Sequence, residues 1–168
     1  MDLPWDAVTV FQVDERVAPD GDPARNIAML SALPAPVTVR PMPVTAAGLP
    51  AACSRYAAQL PDRLDVVHLG LGDDGHTASW PPGDRVVEAV EPVALSGSYR
   101  GHVRMTLTPG VVNAARHRLV LAAGPDKAGP LARWLLGDQS VPVHHVRRSD
   151  TVAVVDRAAA ARLPGMAG

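Results

Sequence analysis

The sequence has one cysteine, Cys53. An internal disulfide is therefore excluded, and the reducing cytoplasm is the expected setting. It has no excess of either charge: 16 Lys and Arg stand against 17 Asp and Glu. Nucleic acid or an anionic membrane surface would call for a basic patch, so neither is expected as a partner. No apolar run approaches the length of a bilayer span. The opening residues, Met1 to Val8, lack a charged segment followed by an apolar one, so no secretory signal is expected there. Aromatics are few and prolines number 17, and neither count carries a functional reading. What remains is ordinary. With 47% hydrophobic and 20% charged residues, the 168 positions suit one core and are read as a single domain over 1–168.

Apolar, β-branched runs alternate with helical spacing along the chain. Ala7–Val13, Leu64–Leu71, Arg118–Ala123 and Thr151–Val155 read as buried strands, with Arg104–Thr108 as a short extended entry. Helices are expected after Asp22-Pro23, over Pro50–Leu60, from Thr108-Pro109, from Gly124 to Gly137, and after Asp156. Val86–Leu95 is a weak, mixed segment. Alternation of this kind predicts an α/β fold: a three-layer α/β/α arrangement around an open, mostly parallel sheet. In such sheets function sits in the loops beyond the carboxyl ends of the strands. Three loops qualify: DERVAPDGD, GDDGHTASWPPGD and GPDK.

The second loop admits several readings. Gly70, Gly72 and Gly75 form a G-x-G-x-x-G, yet a dinucleotide site needs a long helix from the third glycine, and Pro81-Pro82 would stop one. Asp73, Asp74, His76 and the His144-His145 pair lack the spacing of a metal site, so no metal is expected. His76 as a mere turn residue is the plain reading. Its place at a strand end, after glycines that let a ligand approach the backbone, favours a base that works near neutral pH.

G-x-G-x-D-G-H-x-A-S-x-x-P-G, here Gly70 to Gly83, resembles the signature of the 6-phosphogluconolactonases, within the glucosamine-6-phosphate isomerase/deaminase superfamily. VFQVDERVAPDGDPARN, RMTLTPGVVNAAR, LVLAAGPDKAGPL and TVAVVDRAAA resemble further segments of that family, in order, from about Trp5 to Leu163. The resemblance implies hydrolysis of 6-phosphoglucono-1,5-lactone to 6-phosphogluconate, in the pentose phosphate pathway, without metal or organic cofactor. It makes His76 the catalytic base and Asp14 the group that orients His76 or the sugar hydroxyls. Substrate and phosphate binding fall to Arg16, Asn26, Gly72, Asp74, Gly75, Arg104 and Lys127. For Glu15 a salt bridge with Arg16 or a solvated loop is the better reading. The partner implied is a small sugar phosphate lactone.

The sequence departs from the family in four places. The family's S-G-G-x-T-P phosphate loop, which precedes the DER strand, does not occur. A start upstream, a decayed paralogue and a partner chain that fills the gap each account for this. If the chain is complete, the sheet is shortened at its N-terminal side. Exposed apolar surface, self-association and weak turnover are then expected, because each lost charge-assisted contact costs about 1.5–3 kcal/mol. Trp80-Pro81 stands where the family has Leu-Phe, so Trp80 covers the pocket or fills core. The stretch from Gly83 to Arg104 is short. His68 replaces an apolar residue and would need a polar partner if it faced the core. Two alternative functions stay open: a non-catalytic sugar-phosphate-binding remnant, and an amino-sugar-phosphate isomerase/deaminase, which the absence of a glutamate after His76 disfavours.

Overall fold

A single extended run, Thr9 to Arg16, is shared between two sheets. The computed structural model describes residues 4–165. Its strands are β1 (Thr9–Phe11), β2 (Asp14–Arg16), β3 (Thr38–Arg40), β4 (Val66–Gly70), β5 (Val93–Tyr99), β6 (His102–Leu107), β7 (His117–Ala122) and β8 (Thr151–Val155). Its α-helices are α1 (Leu49–Ala57), α2 (Pro109–Ala114) and α3 (Ala128–Leu135). β1 pairs in parallel with β3, and β4, β7 and β8 form a parallel sheet in that order. β2, β6 and β5 form an antiparallel sheet. The α/β class and the parallel pairing are as the sequence predicts.

The antiparallel sheet is the main addition. Its outer strand, VALSGSY, overlaps the weak segment Val86–Leu95 only at Val93–Leu95, and no strand is expected over the rest. Serine and glycine lower β propensity there, and the strand is held by pairing with Met105 and its neighbours rather than by its own composition. The predicted first strand is broken at Gln12-Val13, where the chain leaves β3 and turns to β6. Gln12 makes the break tolerable. Its side chain accepts from the Met42 N–H and donates to Glu15, and its carbonyl accepts from the Tyr56 hydroxyl.

Two helix starts differ from expectation. Asp22 accepts from the Ala24 N–H in a turn, and the helical piece that follows is a 3₁₀ segment, Asn26–Ala32. Thr108 precedes α2, with Pro109 in its first turn as expected, but its hydroxyl donates to the Glu91 carbonyl and does not cap the helix. Asp156 does cap, accepting from the Ala159 N–H at 2.7 Å, although the closing segment is 3₁₀ over Ala159–Arg162.

The core joins Val67 and Leu69 of β4 and Val120 and Ala122 of β7 to Tyr56, Leu131, Trp134 and Ala159. Trp80 is fully buried and donates from Nε1 to the Leu107 carbonyl, so it fills core. The other face of β4–β7–β8 is bare among the described residues. Val66, Leu121, Val152 and Val154 are exposed there, so among the described residues this sheet is covered on one face and not on the two that a three-layer arrangement predicts. His68 lies on that face too, exposed, and needs no buried partner.

Glu15 holds the shared run in place. It is fully buried beside the Arg25 guanidinium at 3.1 Å and accepts from Gln12 and from the backbone N–H groups of Arg16, Asn26 and Ile27. The sequence offers Glu15 a salt bridge with Arg16 or a solvated loop, and neither fits: it is buried and its charge partner is Arg25, while Arg16 donates to it only through its backbone N–H. Burial alone would raise its pKa, but these donors more than offset that and hold it below its ordinary 4.5. A buried pair that loses one member strands the other charge, so Glu15→Ala should cost about 3–5 kcal/mol, read as a lower urea midpoint. The sign of the pH dependence follows. A depressed carboxylate pKa contributes stability above 4.5, and the advantage over Glu15→Gln should shrink as acid titrates the group.

Candidate active site

β4 ends at Gly70, and the chain turns back within six residues. The Gly72 N–H donates to the His76 carbonyl at 2.7 Å, and the Gly75 N–H to the Gly72 carbonyl at 3.1 Å. A Cβ at Gly72 would lie 2.0 Å from His76 Nδ1, so only glycine leaves room for the ring. Gly75 has φ +87°, and its Cα faces Val141. The two glycines therefore shape the turn. Gly72 also lines the cavity described next, whereas Gly75 does not.

That cavity holds about 290 Å³ between the end of β4 and the antiparallel sheet. Asp14, Arg16, Asn26, Gly72, His76, Arg104 and Lys127 all line it, as do His68, Asp73 and Arg100. Four cationic side chains thus face one small space. Arg104 is almost fully buried, its Nε has no hydrogen-bond partner, and burial leads the causes that lower its pKa. A buried guanidinium with an unused donor is suited to an anion. Lys127, the only lysine of the sequence, stands at the start of α3 with Asp126 2.7 Å away.

One assigned role needs correction, and one of the two roles open to Asp14 falls away. Asp14 does not hold His76. Its Oδ2 accepts from the Ser79 hydroxyl at 2.6 Å and from Asn26 Nδ2 at 3.3 Å. The group that holds His76 is Asp74, which was assigned to substrate. Asp74 Oδ1 accepts from the His76 N–H at 3.0 Å and lies 2.6 Å from His76 Nδ1. Asp74 sits behind the ring and outside the cavity lining. The reason is local: a residue two before the histidine, in a tight glycine turn, reaches its ring directly, whereas Asp14 comes from another sheet and meets Ser79 first. Burial pushes Asp74 up, but bonds from Tyr99 and His76 prevail and hold it at about 2. Asp14 goes the other way. Burial raises it, and the Ser79 bond and nearby arginines only partly counter that.

Tyr99, Arg100 and Ser79 escaped the sequence reading. Ser79 was legible, because it lies in the quoted loop. Tyr99 and Arg100 were not, because they lie on the β5–β6 turn, beyond Val86–Leu95, in a stretch to which the sequence assigns no strand. Tyr99 Oη donates to Asp74 Oδ2 at 2.5 Å, and Arg100 donates to Asp73 at 2.5 Å. Asp73, Asp74 and His76 place ligand atoms within 4.8 Å of one another, but each carboxylate is engaged by these donors.

Comparison with known proteins agrees with the geometry. Residues 1–155 match the model of the family described as glucosamine-6-phosphate isomerases/6-phosphogluconolactonase. A Streptomyces coelicolor 6-phosphogluconolactonase is 34% identical over 96% of this chain and 72% of its own length. A Synechocystis 6-phosphogluconolactonase is 32% identical over 74% of this chain, which spans only 59% of that protein. The crystal structure of 6-phosphogluconolactonase from Thermotoga maritima superposes with a TM-score of 0.81 at 25% identity, over 92% of this chain and 75% of that one. A monomeric glucosamine-6-phosphate deaminase shares the fold, with a TM-score of 0.79 at 19% identity, 92% of this chain covering 74% of that one. A histidine backed by a carboxylate, facing a cationic cavity at the end of a parallel strand, is thus set in a chain that belongs to the glucosamine-6-phosphate isomerase/6-phosphogluconolactonase family.

Proposed function

We propose that the chain hydrolyses 6-phosphoglucono-1,5-lactone to 6-phosphogluconate. The observation that carries this is the His76–Asp74 pair beside a cavity lined by Arg16, Arg100, Arg104 and Lys127. With Nδ1–H donated to Asp74, Nε2 is the nitrogen free to accept a proton. Water attacks the lactone carbonyl while His76 takes its proton. The tetrahedral intermediate then collapses, the bond from carbonyl carbon to ring oxygen breaks, and the imidazolium returns the proton to that oxygen. The product is a carboxylic acid that ionises, so one proton is released per turnover.

The arginines and Lys127 hold the phosphate and offset the developing oxyanion. Asn26 and Asp14 face the sugar hydroxyls, for which a carboxylate is a fitting acceptor. No glutamate follows His76 in the loop, in keeping with hydrolysis rather than ring opening of an amino sugar. No described helix is long and apolar enough to cross a membrane, and the buried, unpaired Cys53 suits a cytoplasmic enzyme. Self-association belongs to the same reading, supported by the bare apolar face of β4–β7–β8.

Acid release from fresh lactone, above the spontaneous rate, tests the activity. His76→Ala should lose about 10²–10⁴-fold in kcat, the usual worth of a positioned base. Binding without turnover would leave a remnant that only recognises sugar phosphates, and ammonia from glucosamine-6-phosphate would point to a deaminase. Asp14→Asn should separate stability from activity. A carboxylate whose pKa is raised by burial costs stability at neutral pH, and the cost fades as pH falls towards its folded pKa. The variant should melt a few degrees higher at pH 7, at about 2–4 °C per kcal/mol, while losing turnover. An unchanged or lower melting temperature would contradict the burial cost.

A further inference from the structure

The β5–β6 hairpin turns at Arg100 and Gly101, with φ of +49° and +84°. Both central residues of such a tight turn adopt the left-handed region, which an arginine rarely does. The register also shifts between Ser96 and Tyr99, a bulge that re-aims the strand end. Together these features lay Tyr99 and Arg100 over the His76 turn. Tyr99 Oη donates to Asp74 Oδ2 at 2.5 Å and lies 3.3 Å from His76 Nδ1. Its ring meets the His76 ring edge-on at 5.4 Å, and the Arg104 guanidinium lies 5.2 Å from its centroid. One side chain thus touches the histidine, the carboxylate behind it and the buried arginine of the anion-binding wall.

We propose that Tyr99 is a positioning residue that fixes the orientation of Asp74, and through it the tautomer of His76, while its ring face seats Arg104. The proposal rests on the hydrolase reading above. Asp74 Oδ1 already takes both bonds from His76. Without a donor on Oδ2 the carboxylate could rotate about its last bond and release Nδ1. A neutral imidazole so released is free to carry its proton on Nε2, and the base is lost from the cavity side. Tyr99 removes that freedom. It stays a donor throughout the working range, since burial and the Asp74 carboxylate push its hydroxyl up to about 12. The backbone agrees: a left-handed Arg100 and a bulge are costly local choices, and their joint effect is to aim these two side chains at the loop.

Two variants of the full chain separate the parts. Tyr99→Phe keeps the ring and removes the hydroxyl, and Tyr99→Leu removes both. For Tyr99→Phe, KM should stay within about twofold and kcat should fall about tenfold, the worth of one charged hydrogen bond. The acid limb of its rate profile should move, because the carboxylate that pairs with the imidazolium has lost a donor and its fixed orientation. Asp14, Arg16, Asp73, Arg100, Arg104 and Lys127 also surround or face His76 and are unchanged in the variant. Tyr99→Leu should in addition raise KM, as Arg104 loses its seat.

Nitrogen-15 NMR of the His76 ring supplies a readout without turnover. The parent should show the Nδ1-protonated tautomer, and Tyr99→Phe a mixture. Parent activity that persists with unchanged kcat and acid limb in Tyr99→Phe overturns the proposal. So does an equal loss in both variants, which would mean packing alone. A parent with no lactonase activity defeats the hydrolase reading instead, and the tautomer populations then decide the role of Tyr99: a mixture in Tyr99→Phe upholds it, and an unchanged spectrum overturns it.

Discussion

The imidazole of His76 occupies the volume that a side chain at position 72 would fill. This close approach fixes where the ring can lie. Gly72 gives it a floor, Asp74 a partner for Nδ1, and Tyr99 an edge, so the remaining open side is the cavity. The arrangement is inexpensive in chain length, since six residues after β4 supply the base, its carboxylate and the turn. Its demand falls on two glycines. Gly72 must lack a Cβ, and Gly75 must take a left-handed backbone against Val141.

Two neighbouring carboxylates illustrate how environment divides labour. Asp14 and Glu15 are adjacent in sequence and lie on opposite faces of β2. Glu15 is buried among donors and stays ionised, which serves the fold. Asp14 faces the cavity, has fewer donors, and is pushed towards the neutral form by burial. The fully satisfied group stabilises, whereas the under-satisfied one stands where a ligand supplies the missing partners. Arg25 and Arg104 make a second such pair. Both have a buried Nε outside hydrogen-bond geometry, but that of Arg25 lies 3.1 Å from the Glu15 carboxylate, whereas Arg104 lines the cavity.

Much of this was legible in the sequence. The apolar β-branched runs mark β4 and β7 because a strand with a buried face must be apolar whatever surrounds it; the run at β8 marks a strand too, but no residue of it is buried, contrary to the buried strand expected there. The motif segments bring seven assigned residues to one cavity, and His76 sits where its turn predicts. What was not legible arose between segments. β5 is held by its partner β6 rather than by its own composition, so its outline is not written in VALSGSY. Tyr99 and Arg100 follow from that hairpin and were hidden with it. The exchange of Asp14 for Asp74 has the same origin. Motif order says that both carboxylates belong to the site, but only distance says which of them touches the ring, and Ser79 reaches Asp14 first.

The break at Gln12 has a consequence for how the site comes into being. One uninterrupted length of backbone lies in the parallel pair through Thr9–Phe11 and in the antiparallel sheet through Asp14–Arg16. The cavity takes its walls from the far side of that break, through Val13, Asp14, Arg16 and Arg104, and from β4 and its turn, while no residue of β1 or β3 lines it, so neither the antiparallel sheet nor the β4 turn alone encloses it. The pocket is therefore complete only where the antiparallel sheet meets the β4 turn.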